Sequence, residues 1–545
     1  MWLACRGGVS TTAYNSIVAF DIAGPLDVQR LEIALARMTE RHEILRTTLL
    51  WRGELLQVVS PDNRARPAHA DLSACTDLAL QEHLDAALQE ERHHRFALER
   101  GPLLRIRIIR VTPTRHCLIL NLHRMLVDLW SLGVFTRELG CFYRADRATI
   151  DSLADPVQYA DFSAWQRCRA LAGDFAGALA FWNGQLHGAP PLSVLPPDKP
   201  RSSSEESSAH SLEFGFAPSL SERIRRFAHD QKLTLYPVLA AALQTLLGLH
   251  CGRADVILGC PVANRTRTAL EGMLGFVANT LPIRTQFGDD PSFQTLVMRV
   301  WATLLLALEH KDSPFELLTR ELKPERHPGT NPLFQVVLSV SNTPAVMLDL
   351  EGLHTSLVPI QVQSAVYDVV FSITDGASLQ CSVLYNSRLY DKQTIDHLVT
   401  DCMQLLENAL AAPDRSVAQI LAQCAFRGAT ARSASQRASL PRTSIDASAS
   451  DPVPPTPTIA PVGNHTSTVS IMPVLRELWR SELELTEVAD DDDFFDLGGH
   501  SFLAIKMIAS LREQYDIELG LLDLLDAPTL AGFASTITRL ASGRP

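Results

Sequence analysis

Leu103-Leu-Arg-Ile-Arg-Ile-Ile-Arg110, then Thr112-Pro-Thr114, then Cys117-Leu-Ile-Leu-Asn-Leu122 reads as two strands joined at a proline turn. The second strand runs straight into His123-Arg124-Met-Leu-Val-Asp128-Leu129, a knot of polar side chains on an otherwise apolar stretch. Before this pair, Val28 to Arg41 has the apolar spacing of an amphipathic helix. After it, Leu220 to Leu249 reads as helices separated near Thr234, and Val256–Leu258 and Val336–Ser341 as buried strands. The alternation of the two periods through residues 1–426 predicts an α/β fold of mixed layers. No short internal repeat is present.

The 545 residues are 46% hydrophobic and 20% charged, an ordinary globular composition with room for several domains. No run is long and apolar enough to span a membrane. The opening Met-Trp-Leu-Ala-Cys-Arg-Gly-Gly has too short an apolar core for a signal peptide. Ten scattered cysteines, with no Cys-x-x-Cys pair and no Cys/His cluster, fit reduced thiols in a cytoplasm and offer no metal site. A net charge of −12 argues against nucleic acid as a partner.

A composition break runs from about Arg427 to Ser470. It is rich in Ala, Ser, Thr and Pro, has no Phe, Trp or Tyr, and includes Asp451-Pro-Val-Pro-Pro-Thr-Pro457. Such a segment cannot bury a core and reads as a linker with a root-mean-square span on the order of 35 Å. Behind it, residues 471–545 hold fourteen acidic side chains against six basic ones, a net of −8. This is the balance of a small acidic domain, whether simply solvated or docking on basic surfaces.

Within that tail stands Asp493-Phe-Phe-Asp-Leu-Gly-Gly-His-Ser501-Phe-Leu-Ala-Ile-Lys506. Gly498 and Gly499 permit a tight loop, and His500 leads to Ser501. From Ser501 on, Phe502, Ile505, Ile508 and Leu511 fall on one helical face. A serine at a helix start sits beside free N–H groups and the positive end of the dipole, which favour a phosphate. A plain N-cap is the simpler use of such a serine. A hydrolase nucleophile elbow needs glycine two residues on, where this chain has Leu503. The stretch and its flanks, through Leu519–Leu525 and Ala527-Pro-Thr-Leu530, resemble a peptidyl carrier protein. The resemblance implies a four-helix bundle over about 471–540, with 4′-phosphopantetheine on Ser501 ending in a thiol that holds an acyl or aminoacyl thioester.

Residues 1–426 resemble the condensation domain of nonribosomal peptide synthetases. The matching blocks occur in the family's order: Arg41-His-Glu-Ile-Leu-Arg46-Thr47, Tyr159-Ala-Asp-Phe-Ser-Ala-Trp165-Gln166, Gly259-Cys-Pro-Val-Ala-Asn264-Arg265, Leu274-Gly-Phe-Val-Ala-Asn279-Thr-Leu-Pro-Ile-Arg284, His310-Lys-Asp-Ser-Pro314-Phe-Glu and Asn331-Pro-Leu-Phe-Gln335. The likeness implies two chloramphenicol-acetyltransferase-like halves, about 1–175 and 176–426, enclosing a tunnel where an acceptor amine attacks a donor thioester. A helix-forming block that usually opens the family's domain, ahead of the strand matching Ser16 to Ile22, is missing or unrecognisable.

The family's active-site motif is His-His-x-x-x-Asp-Gly, and here it reads His123-Arg124-Met-Leu-Val-Asp128-Leu129. The place of the catalytic second histidine is taken by Arg124, and that of the glycine by Leu129. Histidine can accept or share the amine's proton near neutral pH. Arginine stays protonated, but can donate hydrogen bonds to a developing oxyanion, pair with an acid, or plug the tunnel. By resemblance, Asp128 pairs with an arginine such as Arg265 and His123 supports the loop. His-Arg at this place is also similar to the X-domains of glycopeptide synthetases, condensation-like domains that recruit oxygenases to a carrier. Those follow their carrier, whereas here the carrier follows, and Leu129 replaces their acidic residue.

No adenylation domain fits between 426 and 471, and no thioesterase is expected behind the carrier. The expected partners therefore act in trans: an adenylation enzyme, an upstream donor carrier, a phosphopantetheinyl transferase, and a downstream thioesterase, condensation or tailoring enzyme. Two functions stay open, amide formation on the carrier-bound group and a non-catalytic platform for enzymes acting on it.

Overall fold

The structure is a computed structural model. It describes residues 11–145, 153–190, 195–201, 208–265, 267–324, 330–341, 346–360 and 365–426, and most of 471–542. Within the last stretch, 484, 496, 498–502 and scattered positions from 505 to 526 lie outside the description.

The first half is built on a five-stranded sheet with the order His354–Leu357, Asn15–Ala23, Arg115–His123, Leu104–Thr112, Ala68–Asp71. The two strands read from the sequence pair antiparallel, Leu104 opposite Leu122, with an irregularity between Arg110 and Thr112 beside the turn. Arg115–His123 is the central strand and is buried on both faces. Leu118, Leu120 and Leu122 pack with Leu31, Leu35 and Met38 of the helix Val28–Arg41 and with Phe135 and Leu139 of the helix Leu129–Arg144. Cys117 and Ile119 face Ala87 and Leu88 of the helix Asp77–His93. The two-residue period of the strand thus assigns His123 to the same face as Cys117, Ile119 and Asn121.

The second half holds a six-stranded sheet, in the order Ala209–Gly215, Gln380–Asn386, Val369–Thr374, Val336–Ser341, Asp255–Val262, Asn279–Gln286. The expected helix pair is Pro218–Asp230 and Leu235–Cys251, broken at Thr234 as read. The second of these is apolar on nearly all sides and buried accordingly. Its one buried amide, Gln244, spans two strands through bonds to the carbonyls of Val256 and Ile283 at 3.2 and 3.0 Å.

The two halves are not consecutive pieces. After Val336–Ser341 the chain reaches into the first half, and His354–Leu357 adds to its sheet edge, Phe20 opposite Leu357 and Ala23 opposite His354. It then returns to run Val369–Thr374 parallel to Val336–Ser341. Residues 354–357 therefore sit with the first sheet, although they fall in the 176–426 half expected from the sequence.

In the tail, the helices Ile471–Glu482 and Leu530–Ser542 pack together, burying Leu475, Trp479, Leu530, Phe533 and Ile537. Residues 503–504, 507–508, 511–512 and 523–524 are helical as well, whereas 519 and 520 are not. The rest of the expected bundle, and the 427–470 segment, lie outside the described residues. Among those described, no single helix is long and apolar enough to cross a membrane, no group of side chains could hold a metal, and the cysteines are free.

Candidate functional site

The central strand ends at His123, whose N–H bonds the carbonyl of Leu103 at 2.9 Å. The next N–H, of Arg124, is held by the carbonyl of Tyr14 at 2.7 Å, and Leu126 closes a turn onto His123 at 2.8 Å. Asp128 then caps the helix Leu129–Arg144, accepting from the N–H of Ser131 at 2.8 Å. Strand end, turn and cap leave His123, Arg124 and Asp128 in three different surroundings.

His123 is 1% exposed. Its Nδ1 accepts from the N–H of Met125 at 3.3 Å, so the ring proton sits on Nε2, which finds no partner among the described residues. Phe96 meets the ring edge-on at 5.9 Å. Burial pushes the imidazole down to about 4. The ring is neutral at pH 7 and has no open nitrogen to take a proton. An unfolded histidine titrates near 6.5, so between about pH 6.5 and 4 the unfolded state binds the extra proton. Stability carried by this group is full above that window and falls by up to ~3 kcal/mol on acidification through it. Comparing wild type with His123→Gln by urea unfolding at pH 7 and pH 4.5 should show the wild type losing more; equal losses would mean the ring is already charged or exposed.

Asp128 accepts six hydrogen bonds: from the N–H and Oγ of Ser131, from both terminal nitrogens of Arg265 at 2.8 and 3.1 Å, and from the N–H groups of Val277 and Ala278. The side chains of Arg265 and Asp128 are 0% and 5% exposed. The same guanidinium donates to Ser131 Oγ at 2.8 Å, which also accepts from the N–H of Gly275, while its single proton is shared between Asp128 and the carbonyl of Gly275. Two residues of the first half thereby grip the 263–278 loop of the second. Gly275 has φ +157°, and a Cβ there would lie 2.0 Å from the ring of Tyr159, so no side chain fits. This arrangement makes Asp128 and Arg265 a positioning pair: both carboxylate oxygens are fully engaged, and only Arg265 Nε lacks a partner among the described residues. Ser131, absent from the sequence-based site, was hinted at only by its place three residues after a capping aspartate.

Arg124 is different. Its side chain is exposed, its guanidinium lies 5.8 Å above the ring of Phe276, and it forms no ion pair among the described residues. Of the uses open to it from sequence, pairing with an acid does not occur there. Leu129, the first residue of the following helix, is 61% exposed.

The separate sequence blocks converge around this centre. Glu138, on the helix after the motif, takes His42 Nε2 at 2.8 Å and Arg41 Nε at 3.1 Å, all largely buried. The phenol of Tyr159, pushed up to about 12 by burial, donates to the carbonyl of Phe276 at 3.0 Å. Asn279 spans to the carbonyls of Lys311 and Ser313 at 2.9 Å each. Burial lowers the Lys311 ammonium to about 8. Asn331 Oδ1 caps the N–H groups of Leu333 and Phe334. Tyr159, Arg265 and the 310–316 block through Asn279 thus hold the 273–279 loop, whereas Arg41 and His42 tie two helices of the first half and Asn331 acts on its own turn. Glu138 lies in none of them, and nothing in its local sequence marks it.

In the tail, Ser501, Gly498, Gly499 and His500 lie outside the described residues. Their flanks are anchored. Phe494 is buried against Trp479 at 5.1 Å, its N–H bonds the carbonyl of Pro528, and Asp493 Oδ1 holds the N–H of Phe495. On the far side, Ala504, Met507, Ile508 and Leu511 are buried. A pinned turn and a packed helix therefore bracket the short interval that contains the serine, a layout that suits a phosphodiester-linked arm.

A family model described as the condensation domain matches residues 1–424, and one described as the phosphopantetheine attachment site matches 473–537. The chain belongs to the condensation-domain family, with a carrier domain of the phosphopantetheine type behind it. It is 34% identical over 424 residues to chondramide synthase cmdD of Chondromyces crocatus, covering 77% of this chain and 11% of that protein. It is 32% identical over 440 residues to phosphinothricin tripeptide synthetase PhsB of Streptomyces viridochromogenes, covering 77% and 36%. The chain thus spans a minor part of these relatives' length. Among solved structures, the X-domain from teicoplanin biosynthesis superposes with a TM-score of 0.69 at 28% identity, over 76% of this chain and 94% of that one. The X-domain in complex with OxyB gives 0.68 at 27%, over 77% and 93%. SgcC5 of Streptomyces globisporus gives 0.62 at 26%, over 74% and 94%.

Proposed function

We propose that this protein holds an aminoacyl or acyl group as a thioester on an arm at Ser501 and presents it to the end of the central strand, where a donor acyl group is joined to it as an amide. The observation that carries the reading is the pairing, in one chain, of a condensation fold with an exposed Arg124 and a carrier domain. The arm, when bound, supplies the thiol that activates the acyl carbon. The acceptor nitrogen attacks the donor thioester carbon, the C–N bond forms and the C–S bond breaks, and the sulfur leaves as thiol. Arg124, exposed over Phe276, stays protonated and cannot act as the base. Asp128 and Arg265 hold the loop bearing Phe276, which sets the height of that guanidinium. No motif side chain takes the amine's proton, so it passes to solvent and the step is slow.

A second reading is favoured by the likeness to the X-domain bound to OxyB. In it the condensation fold makes no bond and docks an enzyme that modifies the carrier-bound group. The carrier role is common to both. Incubation with coenzyme A and a broad phosphopantetheinyl transferase should add one arm by intact mass, and Ser501→Ala should abolish it. Uptake by the Ser501→Ala protein would place the arm elsewhere and overturn the assignment.

A further inference from the structure

The charges around the motif do not cancel. Asp128 and Arg265 neutralise each other inside the domain, at 2.8 and 3.1 Å. His123 is neutral. Glu138 is taken up by Arg41 and His42. What remains is the guanidinium of Arg124, exposed, laid over Phe276 and without a carboxylate among the described residues. A guanidinium presents a planar fork of donors that matches a carboxylate in two parallel bonds, and an aromatic face beneath it limits its swing. An ammonium at the same place meets a like charge and is disfavoured.

We propose that the group carried on Ser501 bears a free carboxylate, an acidic aminoacyl or dicarboxylic acyl group, and that Arg124 pairs with that carboxylate. The inference rests on the reading that the arm at Ser501 delivers its load to this site. Arg124 then determines specificity. It selects an anionic load and holds the amine neutral beside a positive charge. Phosphate offers the same anionic chemistry, but the arm's phosphate would be esterified to the serine itself, whereas the load would sit at the arm's far end, the part that the proposed function brings to Arg124.

The test uses the full-length protein, loaded at Ser501 from coenzyme A analogues whose aspartyl or asparaginyl group is attached through a stable amide. Intact mass first reports the arm; no arm on Ser501 overturns the carrier reading and this inference with it. With a 13C label in the aspartyl side-chain carboxyl, its titration midpoint should lie about half a unit to one unit lower in wild type than in Arg124→Gln, and Arg124→Lys should keep most of the shift. Equal midpoints in wild type and Arg124→Gln overturn the pairing. A 31P shift of the arm that depends on Arg124 and is the same for both loads would assign the phosphate as the anion and overturn the carboxylate. A readout on wild type alone needs no variant to fold. Phenylglyoxal should modify Arg124 about fivefold more slowly under the aspartyl load than under the asparaginyl one, the size of an exposed ion pair. Equal rates count against the inference.

Discussion

Arg124→His raises the rate of amide formation on a neutral acceptor, such as an alanyl group at Ser501, by roughly 10²-fold and up to 10⁴-fold, the usual worth of a general base. Each alternative proton acceptor in the motif is closed. Arg124 stays protonated. His123 carries its proton on Nε2, and its Nδ1 is engaged by Met125. Asp128 already accepts six hydrogen bonds. A histidine at 124 sits on the exposed side of the turn, where its pKa stays near neutrality and it can receive the proton. Single-turnover mass spectrometry of the carrier-bound product measures the effect. A brisk wild-type rate that falls in both Arg124→His and Arg124→Ala would make the guanidinium itself the catalyst, an oxyanion donor worth about 10²–10³ in rate. A wild type and an Arg124→His protein that both form no amide leave the platform reading standing.

Asp128→Ala destabilises the large domain by about 3–5 kcal/mol, because it strands the Arg265 guanidinium as a buried charge. That side chain has no exposure of its own, and the 263–278 loop loses the anchor that joins the two halves. Urea unfolding followed by tryptophan fluorescence suits the measurement, since Trp130 lies under Arg265 at 5.7 Å. Replacing both partners together, Asp128→Leu with Arg265→Met, should recover much of the loss, as apolar pairs of similar volume often do. A single Asp128→Ala protein as stable as wild type would mean that water reaches the guanidinium.

The local architecture was legible wherever one period dominated. The strand pair around Thr112–Thr114, the helix from Val28 and the break at Thr234 each follow from apolar spacing or a turn residue nearby. What the sequence hid was contact at a distance. His354–Leu357 is short and largely exposed, so nothing in it signals a strand; its pairing with Phe20–Ala23 is supplied by the sheet edge. The hold of Glu138 on His42 spans 96 residues and that of Arg265 on Asp128 spans 137, and only the family resemblance suggested the second. Resemblance flagged Arg124 and Leu129 as departures, but their exposure depends on how the turn after the central strand is pinned to Tyr14.

The strand that crosses from the second half to the first has a bearing on how such proteins can be rearranged. A break made near 175 does not free two self-sufficient pieces: the upstream one is left with the bare edge of Asn15–Ala23, the downstream one with an orphan strand looking for it. Exchange of parts between such proteins, by natural recombination or by an engineer, therefore has the whole domain of about 1–426 as its smallest unit, and a graft that respects only the primary order of the two halves separates a strand from its sheet.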